Sequence, residues 1–210
     1  MKKLVVEFVG TFFLVLTVGL TAVYASAEVA QFAPIAIGVA LAVMIYAGGH
    51  ISGGHYNPAV SLGVLLRGGI KVGSLVGYWI AQLAGAVAAA CVAAWLKGNP
   101  AVTSLGVVTA PALVSEFLFT FALVFVVLNV ATAKATAGNS YFGWAIGLTV
   151  LVGAFAVGGI SGGAFNPAVA VGLVSIKKLA LSNLWIYLVG DFAGAIAAAA
   201  VFKLTVGENA

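Results

Sequence analysis

The chain of 210 residues is 63% hydrophobic and only 7% charged, with a net charge of +4, whereas soluble domains carry about a quarter charged residues. Lipid must therefore be the solvent for most of it. Nine basic residues scattered over loops and ends form no nucleic-acid face, and the single cysteine, Cys91, can neither close an intrachain disulfide nor found a metal site.

Taken in chain order, Met1-Lys2-Lys3 followed by an apolar run imitates an export signal. No clear small-residue cleavage site follows, so residues 4–24 read as a retained first span. Further apolar stretches cover 32–48, 74–96, 110–131, 141–159 and 181–204. Each is about long enough to cross ~30 Å of hydrocarbon. None alternates strictly, which favours helices over barrel strands. Glycine-rich segments, Gly49 to Asn57 and Gly158 to Asn166, follow the second and fifth spans, and the short apolar run after each cannot cross a bilayer.

A shift of 109 residues, carrying Asn57 onto Asn166, superposes the two halves without a gap. Glu7 then falls on Glu116, Thr11-Phe12 on Thr120-Phe121, Ala36-Ile37-Gly38 on Ala145-Ile146-Gly147, and Gly85-Ala86 on Gly194-Ala195. Each half has three spans, so the second enters from the opposite side of the membrane. The expected fold is all-α: one membrane domain over residues 1–210, built of two inverted repeats, about 1–100 and 110–210. Such repeats place their functional site at the midplane, where the interrupted segments meet. Lys2, Lys3, Arg67, Lys71, Lys134 and Lys203 share one side, against Lys97, Lys177 and Lys178 on the other, which puts both termini in the cytoplasm.

In each interrupted segment the order is glycine-rich loop, Asn, Pro, Ala, then apolar residues. That order describes a helix start with Asn at the N-cap and Pro in the first turn, at Asn57-Pro58-Ala59 and Asn166-Pro167-Ala168. Two such stubs re-entering from opposite faces bring their N-termini together, each with about half a positive charge from its peptide dipoles. A cation meets a barrier there. A neutral molecule finds two amide donors, with the carbonyls of Gly53, Gly54, His55, Gly162, Gly163 and Ala164 as candidate acceptors.

The paired stretches SGGHYNPAV and SGGAFNPAV resemble the signature loops of aquaporins and glycerol facilitators, the major intrinsic protein family, and the resemblance covers essentially the whole chain. It implies a right-handed bundle of six tilted helices plus two half-helices. It also implies a homotetramer with a pore in each protomer, no cofactor, and water and small neutral solutes as the permeants. Short loops suggest a prokaryotic inner membrane or another plasma membrane.

Glu7 and Glu116 lie in apolar spans where charge is costly. A proton relay is one reading; the other, which the resemblance supports, is that they accept the loop amides and brace the half-helices. His50 reads as a further loop brace and His55 as a pore-facing side chain or a packed one. Asp191 is the repeat partner of Gln82, in a span where the family is more often uncharged, and no role follows from sequence. Gly77-Ala81-Gly85, Gly143-Gly147 and Gly190-Gly194 have helix-packing spacing.

The resemblance also exposes a departure. Most aquaporins carry an arginine after the second Asn-Pro-Ala, and this chain has Val169. The filter positions carried over by spacing are Ile37, Ala154, Gly163 and Val169, none with a polar side chain. Ala170 stands where glycerol facilitators place an aspartate. The set predicts a wide apolar filter passing glycerol, urea, ammonia or hydrogen peroxide beside water. A secondary transporter is the alternative from another class, and a structural tetramer with a closed pore is a third. No nucleophile with a partnered base, metal cluster or phosphate loop argues for an enzyme.

Overall fold

A computed structural model of the chain describes residues 1–207. The last three residues of the second repeat, 208–210, lie outside the described ones. The first half comprises α1 (Lys2–Val18), extended by a π-helical turn at Gly19–Val23, a short α2 (Ala27–Ala30), α3 (Ala33–Ser52), the stub α4 (Pro58–Arg67) and α5 (Val72–Leu96). The second half comprises α6 (Thr109–Ala131), α7 (Phe142–Ser161), the stub α8 (Pro167–Ser175) and α9 (Leu184–Val206), α9 being preceded by a 3-10 turn, Leu181–Asn183. Among the described residues, 6 segments are long and apolar enough to cross a bilayer.

Two spans run further than their apolar pattern suggests. α3 and α7 continue through Gly48-Gly49 and Gly158-Gly159 to Ser52 and Ser161, and stop at Gly53 and Gly162. Both of these C-terminal glycines are left-handed, with φ of 97° and 89°, and donate to Gly49 O and Gly158 O at 2.9 Å. A left-handed residue ends an α-helix cleanly, and glycine adopts that conformation without steric cost.

Helix approach is governed by glycine. In lipid, hydrocarbon tails match an apolar helix face, so association depends on close packing. A Cβ added at Gly85 of α5 would lie 2.5 Å from Phe8 O of α1, and one at its repeat partner Gly194 of α9 would lie 2.6 Å from Phe117 O of α6. Between the halves, α3 packs on α7, where a Cβ at Gly38 would sit 2.6 Å from Gly147 O. Gly38 and Gly147 are repeat partners, as expected where an element meets its own symmetry mate. Val76, Ile80, Leu118, Val152, Phe155 and Ile196 all face outward. An apolar exterior of this extent requires hydrocarbon around it.

The stubs leave the centre in opposite directions. Arg67, at the end of α4, donates from Nε to Thr132 Oγ1 (2.7 Å) and from Nη2 to Thr132 O (2.8 Å), beside the C-terminal end of α6. The chain following α8 reaches the other end of α6, where Leu105 N donates to Lys178 O at 2.8 Å just ahead of Thr109. Their N-termini therefore face each other in mid-bundle.

Candidate pore at the centre of the bundle

Each stub begins as its motif dictates. Asn57 and Asn166 are extended N-cap residues whose Oδ1 atoms accept from Ala59 N at 2.8 Å and Ala168 N at 2.9 Å, with Pro58 and Pro167 opening the helices. Their other ends clasp across the pseudo-twofold axis. Asn57 Nδ2 donates to Phe165 O at 2.8 Å, and Asn166 Nδ2 donates to Tyr56 O at 2.9 Å. Each amide nitrogen carries two hydrogens, so one on each remains for the lumen.

The carbonyls that accept these bonds belong to left-handed residues, Tyr56 (φ 50°) and Phe165 (φ 47°). Bulky side chains rarely occupy that region, at a cost of about 1–3 kcal/mol each unless the surroundings impose it. Here two buried glutamates impose it. Glu7 Oε1 accepts from Ser52 Oγ (2.6 Å) and His55 N (3.0 Å), and Oε2 accepts from Tyr56 N (2.7 Å) and Gln82 Nε2 (2.8 Å). Glu116 Oε1 accepts from Ser161 Oγ (2.6 Å) and Ala164 N (3.1 Å), and Oε2 accepts from Phe165 N (2.6 Å). Tyr78 hydroxyl donates to Ser52 O at 2.5 Å, and Tyr187 hydroxyl donates to Ser161 O.

Room for the two rings is made differently in each half. Tyr56 lies over Gly10 and donates to Met44 O at 2.9 Å, while Phe165 lies over Gly153 and against Phe119, ring centroids 5.3 Å apart. Gly10 and Met44 are the repeat partners of Phe119 and Gly153, so large and small residues have exchanged places around an unchanged loop.

A cavity of about 60 Å³ lies inside the bundle beside both asparagines. At roughly 10–15 Å³ per water, that is room for about four to six molecules in file. Ile37, Ala154, Gly163 and Val169 all line this cavity, as do Gly54, His55, Gly162 and Ala164. Gly53 does not; it lines a hollow at the Arg67 end, together with Lys3 and His50. Among the described residues, the polar side chains on the cavity wall are those of His55, Asn57 and Asn166. The lining pairs through the repeat: Leu14 with Leu123, Val18 with Val127, Ile37 with Ile146, and Val60 with Val169.

Glu7 and Glu116 are fully buried and hold the loops. His50 is exposed at that hollow and makes no side-chain hydrogen bond among the described residues, so the brace expected of it comes from the glutamates instead. His55 is anchored through Nδ1 to Ser61 Oγ at 3.0 Å. Ser52, Ser161, Tyr78, Tyr187, Tyr56, Phe165 and Gln82 escaped sequence reasoning. Ser52/Ser161 and Tyr78/Tyr187 are identical under the repeat shift and polar in apolar spans, a signal sufficient to find them.

A membrane-spanning helical bundle with two half-helices meeting at a narrow, uncharged lumen defines a channel of passive type. The chain belongs to the major intrinsic protein family, whose model matches residues 1–202. It is 38% identical to aquaporin NIP1-4 of Oryza sativa subsp. japonica, over 97% of this chain and 77% of that one. It is 37% identical to the glycerol uptake facilitator protein-like 6 of Lactiplantibacillus plantarum, over the full length of both. The fold matches the X-ray structure of the aquaglyceroporin from Plasmodium falciparum with a TM-score of 0.84, covering 98% of this chain and 96% of that one at 22% identity. The protein is a multi-pass membrane channel for water and small solutes, not an enzyme.

Proposed function

We propose that the protein conducts water and small uncharged solutes in file through a filter made by Ile37, Ala154, Gly163 and Val169, and past the amides of Asn57 and Asn166. The observation that carries this reading is that one cavity touches all six of these residues and, among the described residues, no Lys, Arg, Asp or Glu side chain. A filter without an arginine presents no fixed donor for a solute to satisfy and no fixed cation to repel one. Ammonia, hydrogen peroxide, urea and glycerol form the candidate set beside water. A transporter needs an ion-coupling carboxylate at the lumen, whereas both glutamates are engaged by loop amides. The family resemblance supports a homotetramer in an inner or plasma membrane, and the basic-residue asymmetry supports cytoplasmic termini.

Stopped-flow light scattering on proteoliposomes, with the solute panel run against water, tests the reading. Water flux together with ammonia or peroxide flux is the expected result. Water flux with no measurable solute flux rejects the permissive filter, and the absence of both rejects the channel in favour of a closed, structural assembly.

A further inference from the structure

The two loop braces differ at one position. In the first half, the fourth donor to Glu7 is the amide of Gln82, Nε2 to Oε2 at 2.8 Å. In the second half, the repeat partner of Gln82 is Asp191, fully buried on α9 beside the Glu116 carboxyl group, at the position from which the Gln82 amide reaches Glu7 in the first half. Asp191 Oδ1 accepts from Thr120 Oγ1 at 2.9 Å, but Oδ2 has no partner among the described residues. Glu116 Oε2 correspondingly has one accepted bond, from Phe165 N, where Glu7 Oε2 has two.

Two adjacent carboxylates, both fully buried, cannot both stay ionised unless a cation compensates them. α6 presents Glu116 to this site and α9 adds the Tyr187 hydroxyl. α8 carries no ionisable side chain. The one cation on α4, Arg67, lies by Phe202, about 16 Å along α9 from Asp191 at 1.5 Å per residue. Lys203, the cation on α9 itself, stands about 18 Å along the helix from Asp191 at 1.5 Å per residue, so among the described residues no positive group is at hand to compensate a second charge.

We propose that Asp191 is a neutral carboxylic acid whose Oδ2–H donates to Glu116, taking the place that the Gln82 amide holds in the first half. It is a positioning residue, acting through Glu116 on the Ala164 and Phe165 amides and so on Asn166. Glu116 stays ionised and accepts four donors, as Glu7 does. The proton is shared within one carboxyl pair and leaves the rest of the loop unchanged.

The chain has five acidic side chains, Glu7, Glu28, Glu116, Asp191 and Glu208, few enough for infrared spectroscopy to resolve the state of one. At pH 7 the reconstituted protein should show the carbonyl stretch of a single protonated carboxyl group, absent in Asp191→Asn. Asp191→Asn retains a donor and should keep water flux within about twofold of wild type, whereas the donorless Asp191→Leu should lose about tenfold or more, the equivalent of one buried hydrogen bond. A wild-type spectrum without that band, or a band that survives Asp191→Asn, overturns the protonation. Wild-type flux in Asp191→Leu overturns the positioning role. The positioning claim rests on Asn166 facing the pore, but the spectrum does not, so the two readings fail separately.

Discussion

Replacing Glu7 with Leu removes the acceptor of four buried donors at once: Ser52 Oγ, His55 N, Tyr56 N and Gln82 Nε2. An orphaned buried donor costs about 1–3 kcal/mol. Some side chains can turn elsewhere: Gln82 Nε2 already donates to Ser61 Oγ at 3.0 Å, and the Ser52 hydroxyl can rotate its hydrogen toward another acceptor. The two backbone amides cannot turn, and Tyr56 is held at φ 50° by the bond it would lose. About 2–6 kcal/mol is therefore at stake from the amides alone, enough to release the loop from its left-handed conformation. Glu7→Gln offers a graded control. Its new amide would face Gln82, whose Oε1 has no partner among the described residues and can accept once the side chain flips. The bonds from Tyr56 N and from Gln82 Nε2 to Ser61 Oγ are then sacrificed, at about 1–3 kcal/mol each, while Ser52 Oγ and His55 N keep their acceptor. Thermal unfolding in detergent, read beside water flux in liposomes, should rank wild type above Glu7→Gln and Glu7→Gln above Glu7→Leu. Glu7→Leu matching wild type in both measurements would refute the brace.

Gly194→Ala places a methyl 2.6 Å from Phe117 O and 2.9 Å from Phe121 N, so α6 and α9 must separate at a cost of about 1–3 kcal/mol; an unchanged unfolding temperature would contradict this packing. Val169→Arg puts a charged fork into the lumen and should cut urea and glycerol permeation more than water permeation in the swelling assay, and unaltered solute flux would show that Val169 does not line the narrow part. Asn166→Ala removes a cap worth about 1 kcal/mol as well as the bond to Tyr56 O, so it should lower both water flux and the unfolding temperature. If flux persists undiminished in that variant, the lumen does not use this amide.

Much of this architecture was readable because the repeat held one register. Asn57 and Asn166 stand out as paired caps, and Glu7 and Glu116 stand out as charges in apolar spans; the latter need the structure only to supply their donors. The left-handed backbone at Tyr56 and Phe165 was not readable. Neither residue type signals positive φ, and the conformation is imposed from a distance by a carboxylate in another helix. The ends of α3 and α7 were hidden for a related reason: the stretches from Gly49 and from Gly158 look like loop, yet remain helical until a glycine is forced into the left-handed region. His50 misled because a histidine beside a glycine loop suggests a brace, whereas Glu7 had already taken both of the amides that needed one.

The bonding of the asparagines also bears on ion exclusion in a pore without an arginine. Both Oδ1 atoms are engaged by the stub amides, at 2.8 and 2.9 Å, while each Nδ2 keeps one hydrogen beyond its cross-axis bond, so the asparagines meet the lumen chiefly as donors. Water between them can accept from both, and its own hydrogens must then point outward along the file. A proton hop through the centre would require one of those hydrogens to turn inward, which the two donors oppose. A bare cation meets the same donors with the positive ends of α4 and α8 behind them, each about half a charge. It also gives up most of its hydration in a space of about 60 Å³, at an effective cost of several kcal/mol even where a protein relaxes around it. Exclusion at the centre thus depends on the caps and the stub dipoles, and Val169 leaves both in place.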